Sequence, residues 1–354
     1  MTTDETPGTR LALHHPPLTE LTPGARAPRW LTAGLCEAWG WDPATTTVTL
    51  LGLSHNATVL ITERGRPVAV TRVSPPAYME DTAAVDSEVA WITALAAAGV
   101  VRVPTVLRSV EGRDVAMVAD DRERRWSCLT TAWIPGTPLD DALAGADAAA
   151  LHRRVGTTAA HLHEHALAFH RPRDFVRPTW EPADMVGPDS RWGRWENAGL
   201  PAAELTLLAR AQAAALDALH DGSRAPDAWG LVHADLRDGN LLVDGDDLTV
   251  IDFDDCGFSW FTLDLAAALS YVEHLPDAPE RAQAWVAGYQ EVRPFTSHDE
   301  QTACALSMLR RLQLLGRTVT DPLGGPSGGL RAEQPAGTVL VAERYLRHPT
   351  WLLR

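Results

Sequence analysis

The stretch LVHADLRDGNLLVDGDDLTVIDFDD, residues 231–255, decides how this chain is read. Its apolar runs, Leu231-Val232, Leu241 to Val243 and Leu248 to Ile251, are short and bounded by Asp and Gly. That is the pattern of buried strands joined by tight turns. At the ends of these runs stand His233, Asp235, Asn240 and Asp252, so that H-x-D-x-x-x-x-N is followed by D-F-D. Phosphoryl transfer asks for little covalent help from a protein. It needs a carboxylate that orients an attacking hydroxyl and accepts its proton, and oxygen ligands that hold Mg²⁺ against nucleotide phosphates. An Asp followed by an Asn, with a second Asp beyond a strand turn, supplies those parts in that order. Asp and Asn favour turns in any case, but their joint spacing beside ordered strand runs separates this cassette from incidental turn residues.

Upstream, residues 1–28 are rich in Thr and Pro without periodicity and predict a mobile, disordered arm. A short helix follows around Leu31 to Trp39, and the runs Thr47 to Leu53, Ala57 to Thr62 and Pro67 to Val73 predict a three-stranded meander. Ala83 to Ala98 carries Val85, Val89, Ile92 and Leu95 at helical spacing and stops at Gly99. Strand-like runs near Val101 to Leu107 and Asp114 to Val118 precede Cys128 to Ile134, after which Pro135-Gly136 breaks the chain between two lobes. Beyond the break, Ala/Leu-rich segments predict helices at about 146–168, 201–220, 260–273, 279–292, 299–317 and 338–347. Gly324 to Gly337 reads as a flexible loop between the last two, and the D-G-D-D run at 244–247 as a solvated hairpin turn.

With 354 residues the chain is long enough for two lobes, each with its own core. A formal net charge of −15 disfavours nonspecific binding to nucleic acid or anionic membranes. No apolar run approaches the roughly 20 residues that span a bilayer, and the first residues lack the charged-then-apolar pattern of a secretory signal. Cys36, Cys128, Cys256 and Cys304 are scattered without C-x-x-C, which fits reduced thiols and predicts a cytoplasmic protein. His161, His163, His165 and His170 suggest zinc at first sight. On a helix only His161 and His165 share a face, and no Cys or H-E-x-x-H completes a ligand set.

A β-rich first part, a Pro-Gly break and a helical second part carrying H-A-D-L-R-D-G-N and I-D-F-D-D resemble the aminoglycoside phosphotransferase/choline kinase family over roughly residues 30–350. Within it the chain is most similar to the branch of stress-response kinases and homoserine-kinase-like proteins, through R-W-G-R-W at 191–195, F-V-R-P-T-W at 175–180 and A-E-R-Y-L at 342–346. The resemblance implies an α/β, bilobal, protein-kinase-like fold. A small β-rich lobe over 29–134 would bind the nucleotide, and a larger, mainly helical lobe over 135–354 would carry catalysis and the substrate. It implies an ATP-dependent transfer, with GTP as the other donor and Mg²⁺ as metal, to a hydroxyl of a small molecule: an amino alcohol, a hydroxy amino acid or an aminoglycoside-like antibiotic. The alternatives are a protein Ser/Thr kinase and a non-catalytic nucleotide-binding pseudokinase. Oligomeric state is not legible.

Residue by residue, the resemblance makes Asp235 the catalytic base or hydroxyl-orienting group, His233 a brace of the catalytic loop, and Asn240 and Asp252 the metal ligands. Ser54, His55 and Asn56 occupy the turn where protein kinases carry glycines, and backbone N–H groups there can cradle phosphates. Arg72 stands where the family's lysine is expected, with Glu88 as its partner, and the strand ending at Trp133 should meet the nucleotide base. Asp254 and Asp255 read either as helpers of the metal site or as solvated turn carboxylates, and Asp264 as a support of the catalytic loop or a helix N-cap. Trp192 and Trp195, beside Arg191 and Arg194, read first as packing residues and secondly as a face for a cationic acceptor.

Overall fold

The computed structural model describes residue 18 and residues 21–54, 56–76, 82–143, 147–220, 224–320 and 329–354. Helix α1 (Arg29–Trp39) buries Leu31, Leu35 and Cys36 and ends at Gly40, whose φ of 72° lets its N–H return to the Cys36 carbonyl. Only a residue without Cβ takes that left-handed cap at little cost. Strands β1 (Thr46–Leu53), β2 (Ala57–Glu63) and β3 (Arg66–Ser74) form the expected antiparallel meander, with Val48 opposite Ile61 and Leu50 opposite Val59. Their alternation places Val48, Leu50, Val59, Ile61, Ala69 and Val73 in one core under α1.

Helix α2 (Thr82–Ala98) follows, then β4 (Val115–Ala119) and β5 (Arg125–Ala132), which complete a sheet of order β1-β2-β3-β5-β4. Part of the segment expected as an arm lies along this sheet. Gly24 and Ala27 donate to Leu50 and Val48, Leu50 donates back to Ala25, and Leu18 is buried. A free strand edge is a template for such pairing, and Leu18 and Leu21 supply the apolar anchor. Residues 1–17 of that arm lie outside the described residues. The run at 101–107 is not a strand; with Pro104 in its middle it makes only the isolated bridges Arg102–Thr249 and Val106–Thr131.

The second part is mainly helical. Strand β6 (Thr137–Pro138) and α3 (Leu139–Ala142) lead into α4 (Ala148–Ala168), α5 (Pro182–Val186) and α6 (Ala202–His220). The cassette read first then supplies β7 (Trp229–Val232), the hairpin β8 (Leu241–Asp244) and β9 (Asp247–Val250), and β10 (Gly257–Trp260), which pairs with β7. Helices α7 (Leu263–Ala268), α8 (Ala278–Tyr289), α9 (Ser297–Thr320) and α10 (Gly329–Arg347) close the core. Among the described residues no helix is long and apolar enough to cross a membrane. Cys36, Cys128, Cys256 and Cys304 are all buried and free.

Helices α4 and α8 cross closely because each presents a glycine to the other's backbone. A Cβ at Gly156 would lie 1.9 Å from the Trp285 carbonyl oxygen, and one at Gly288 would lie 1.8 Å from that of Arg153. Helix α9 is buried on every side from Thr302 to Gly316, which makes it the central rod of this part. Two expected boundaries move. Helix α7 is shorter than 260–273, because Trp260 belongs to β10. Residues 329–337, expected in a loop, are helical despite Pro335, because Gln334 and Thr338 are drawn into the core by contacts with Arg311. Residues 324–328 of that loop lie outside the described residues.

Candidate active site

A cavity of about 750 Å³ lies between the sheet part and the helical part. One end is walled by the β1–β2 turn and β3, with Gly52, Ser54, Asn56, Thr58 and Arg72; the other by Trp192, Asp235, Asp255, Tyr271 and Arg317.

The loop after β7 carries Asp235 to this cavity through a strained turn, Ala234 having φ 65°. Such a backbone persists only when its surroundings over-determine it. Here the brace is Asp264 on α7, fully buried, whose carboxylate accepts from the backbone N–H of His233 at 3.1 Å and of Ala234 at 2.8 Å. Of the two readings of Asp264, the loop support is the one formed; the N-cap position belongs to Thr262. Asp235 N–H donates to His233 Nδ1 at 3.3 Å, so the His233 proton sits on Nε2 and is donated to the Ile251 carbonyl at 3.1 Å. That bond ties the loop after β7 to the end of β9.

Behind Asp264 a chain of polar groups crosses the apolar core. Arg293 Nε donates to the Tyr289 hydroxyl at 3.0 Å, Tyr289 donates to His163 Nδ1 at 2.9 Å, and His163 Nε2 donates to Asp264 at 2.9 Å. Burial holds the His163 pKa below the ordinary histidine value, with Asp264 opposing, so this is a hydrogen bond from a neutral ring.

Asp235 itself is held by three side chains. Arg310 donates to Oδ1, while Arg237 Nε at 3.3 Å and Asn240 Nδ2 at 2.8 Å reach Oδ2. Asn240 Nδ2 also meets the Asp235 carbonyl at 2.8 Å, which turns the amide oxygen of Asn240 away from the carboxylate. Burial alone would raise the Asp235 pKa; the guanidinium charges of Arg237, Arg310 and Arg317 overcome it and hold the group below the usual carboxylate value.

Asp252, at φ 64°, is exposed to the cavity. Surrounding protein and the neighbouring Asp254 raise its pKa, with Arg72 opposing. Arg72 grips Glu88 with both arms of its fork, at 2.7 and 2.8 Å, and lies 3.4 Å from Asp254. Burial disfavours its charge, but Asp254 and Glu88 more than compensate and raise its pKa. Asn56 Nδ2 donates to the other oxygen of Asp254 at 2.7 Å, so the β1–β2 turn is tethered across the cavity. Asp255 is pushed up to about 7 by burial, then by Asp235 and Asp254.

The residues singled out in the sequence thus fall into three groups. Ser54, Asn56, Arg72, Asp235 and Asp252 line the cavity; Glu88, His233 and Asn240 hold residues that line it; His55 lies outside the described residues. Trp133 donates its backbone N–H to the Val68 carbonyl at 3.0 Å and is not among the lining residues. Trp195 packs, giving Nε1 to Gln212 at 2.6 Å, whereas Trp192 lines the cavity under two of the protein's own cations, Arg310 at 4.7 Å and Arg317 at 4.5 Å. Among the described residues no group of three His, Cys, Asp or Glu side chains is placed to hold a metal ion, and His163 of the histidine run serves Asp264 instead. Sequence reasoning missed Arg310, Arg317 and Tyr271. The first carries one signal: an Arg310-Arg311 pair set among Leu306, Met308, Leu309, Leu312 and Leu315.

Comparison with known proteins agrees with this architecture. The sequence model of the phosphotransferase enzyme family matches residues 47–296. The amicoumacin kinase of Bacillus subtilis (strain 168) is 26% identical over 198 residues, 54% of this chain and 54% of that protein. The chain therefore spans about half the length of that curated relative. Among solved structures, a microcompartment-associated aminopropanol kinase is 33% identical with a TM-score of 0.78, covering 92% of this chain and 98% of its own. An amicoumacin kinase in complex with AMP-PNP, Ca²⁺ and Ami shares the fold at 19% identity and a TM-score of 0.69, over 88% of this chain and 92% of its own.

Proposed function

The chain belongs to the phosphotransferase enzyme family, and on that footing we propose that it is a kinase that transfers the γ-phosphoryl group of ATP to a hydroxyl of a small molecule. The observation that carries the reading is Asp235: an ionised carboxylate at the wall of the cavity, its two oxygens oriented by Arg310, Asn240 and Arg237. The acceptor's hydroxyl oxygen attacks the γ-phosphorus as the bond from that phosphorus to the bridging β–γ oxygen breaks. ADP leaves and the hydroxyl proton passes to Asp235. A carboxylate held below its usual pKa is a weak base, so its main contribution is to aim the hydroxyl and take the proton late.

The nucleotide would lie at the end of the cavity formed by Ser54, Asn56 and Arg72. The donor set suits Mg²⁺: the Asp252 carboxylate and the Asn240 amide oxygen are hard oxygen ligands, and Mg²⁺ is usually held by one or two protein ligands together with substrate phosphates. A bound magnesium ion would neutralise charge on the phosphates. The crowding of Asp252 and Asp254, which together with the surrounding protein raises the Asp252 pKa, would be relieved by a cation there. Arg72, fixed by Glu88, would face the phosphates as the expected lysine does. The 33% identical aminopropanol kinase supports a small-molecule acceptor.

ADP release by the purified chain with ATP and Mg²⁺, over a panel of amino alcohols, hydroxy amino acids and aminoglycosides, tests the reading. Release that depends on one of these acceptors and is lost in Asp235→Asn supports it. Absence of acceptor-dependent release across the panel overturns it.

A further inference from the structure

We propose that Arg177 is a positioning residue of the nucleotide end, tying helix α2, which carries Glu88, to the turn that carries Asp252 and Asp254. Arg72 and the metal side of the cavity are thereby fixed as one body before nucleotide binds. This deepens the kinase reading and rests on it. Arg177 belongs to F-V-R-P-T-W at 175–180, a stretch to which the transfer step itself assigns nothing.

That stretch runs close beside β10. Phe258 donates its N–H to the Pro178 carbonyl at 2.8 Å, and Trp180 donates to the Phe258 carbonyl at 2.8 Å. A Cβ at Gly257 would lie 2.5 Å from the Pro178 oxygen, so only glycine allows this approach. Two side chains are thereby brought onto the turn between Phe253 and Gly257. Trp180 Nε1 donates to the Asp255 carbonyl at 2.7 Å. Arg177 donates through Nε to the Cys256 carbonyl at 2.6 Å and through one terminal nitrogen to the Asp254 carbonyl. Three consecutive carbonyls of the turn are thus held from outside it. Backbone acceptors with such partners leave the turn little freedom to rearrange.

The other terminal nitrogen of Arg177 donates to the Ala84 carbonyl on α2 at 2.9 Å, and beside it the Val176 N–H donates to Ser87 Oγ at 2.8 Å. Ala84 and Glu88 lie one turn apart on the same helix face. The tether therefore acts next to the carboxylate that grips Arg72. Asp254 closes the circuit. Its backbone is held by Arg177, while its carboxylate lies 3.4 Å from Arg72 and accepts from Asn56 at 2.7 Å. A guanidinium suits this task because its rigid fork reaches carbonyls in separate directions, whereas an ammonium donates from a single atom. Arg177 also lines the cavity, so the rival account is a direct contact between its charge and the phosphates.

Calorimetry of a non-hydrolysable ATP analogue with Mg²⁺ on the full chain, and kinetics with the acceptor found in the panel, test the proposal. Arg177→Met should weaken nucleotide binding and raise KM for ATP by about tenfold, leaving KM for the acceptor unchanged. Unchanged nucleotide affinity, or an equal rise in KM for both substrates, overturns it. Arg177→Lys keeps the charge without the fork and should recover at most part of the loss. Recovery to wild-type affinity assigns the charge to the phosphates and overturns the tether. Arg177→Met combined with Glu88→Gln should lose less than the product of the two single losses, by about threefold or more. Losses that simply multiply refute a shared action through α2. Should Arg177→Met fail to fold, Ser87→Ala decides: nucleotide binding weakened by about threefold supports the tether, and unchanged binding overturns it. If no acceptor is found the kinase reading fails, while calorimetry still tests the tether. If nucleotide binding is absent as well, amide hydrogen exchange of the chain without ligand decides. Faster exchange in Arg177→Met in both α2 and residues 253–258 supports the tether, and a change in only one of them, or in neither, refutes it.

Discussion

Arg310 donates to Oδ1 of Asp235 from the buried middle of a helix, between Leu309 and Leu312 and beside Arg311. The other carboxylate oxygen receives Asn240 and Arg237, so Asp235 has little freedom to rotate and keeps its charge. Catalysis by such a group rests on orientation and field more than on basicity. Asp235→Asn should lower kcat by about 10²–10⁴ with the true acceptor, while calorimetric nucleotide affinity stays close to wild type. Wild-type turnover in this variant would refute the assignment.

Arg310→Met tests the buried pair itself. Arg310 is 1% exposed; breaking a buried pair costs about 3–5 kcal/mol where the other charge is left uncompensated, and because Arg237 and Asn240 still hold Asp235 the loss should lie below that range. The chemical-denaturation midpoint should fall accordingly at neutral pH. Because Asp235 faces the cavity while Arg310 does not, the double variant Arg310→Met, Asp235→Asn should recover part of the lost stability without recovering activity.

Arg72 is the point at which the chain departs from the expected lysine, and both its terminal nitrogens hold Glu88. Lysine supplies a point charge in place of a planar fork. Arg72→Lys should keep the fold and weaken Mg²⁺-dependent nucleotide binding, measured by calorimetry. Arg72→Ala should in addition destabilise the sheet part, because Glu88, 1% exposed, would be left buried and unpaired. Unchanged nucleotide affinity in Arg72→Lys would mean that the guanidinium serves only to hold Glu88.

What the sequence discloses here depends on how far apart the interacting residues lie. His233, Asp235, Asn240 and Asp252 belong to one run of strands and turns, so their meeting follows from local spacing. The β1–β3 meander was legible for the same reason, as period-two alternation over short connections. Arg310 and Arg317 reach the site from a helix whose pattern announces only burial, and nothing in their spacing names Asp235 as partner. The helical state of 329–337 was hidden because glycine and Pro335 argue locally for a loop, while the contacts of Gln334 and Thr338 with Arg311 prevail over that preference. The sheet edge that captures residues 21–28 is likewise invisible until β1 exists.

His163 gives the chain a pH dependence whose sign is fixed by its surroundings. The ring is fully buried, accepts from Tyr289 on one side and donates to Asp264 on the other. Protonation would add a charge in the core and break the bond from Tyr289. Burial therefore lowers the folded-state pKa below the ordinary value of 6.5, although Asp264 pulls the other way. For a base with a lowered folded pKa, the unfolded chain binds the proton more readily. The contribution is thus complete above 6.5 and is lost as pH falls below it. Stability measured by chemical denaturation should decline between about pH 7 and pH 5, by up to about 1.4 kcal/mol per pH unit from this group. His163→Gln keeps one donor for Asp264 and one acceptor for Tyr289 but cannot titrate. That variant should show a shallower decline over the same interval while retaining turnover, because the brace on His233 and Ala234 comes from Asp264 itself. An unchanged slope in His163→Gln would assign the acid sensitivity to other groups. Loss of turnover with the slope flattened would instead mean that the imidazole positions Asp264 more tightly than an amide can.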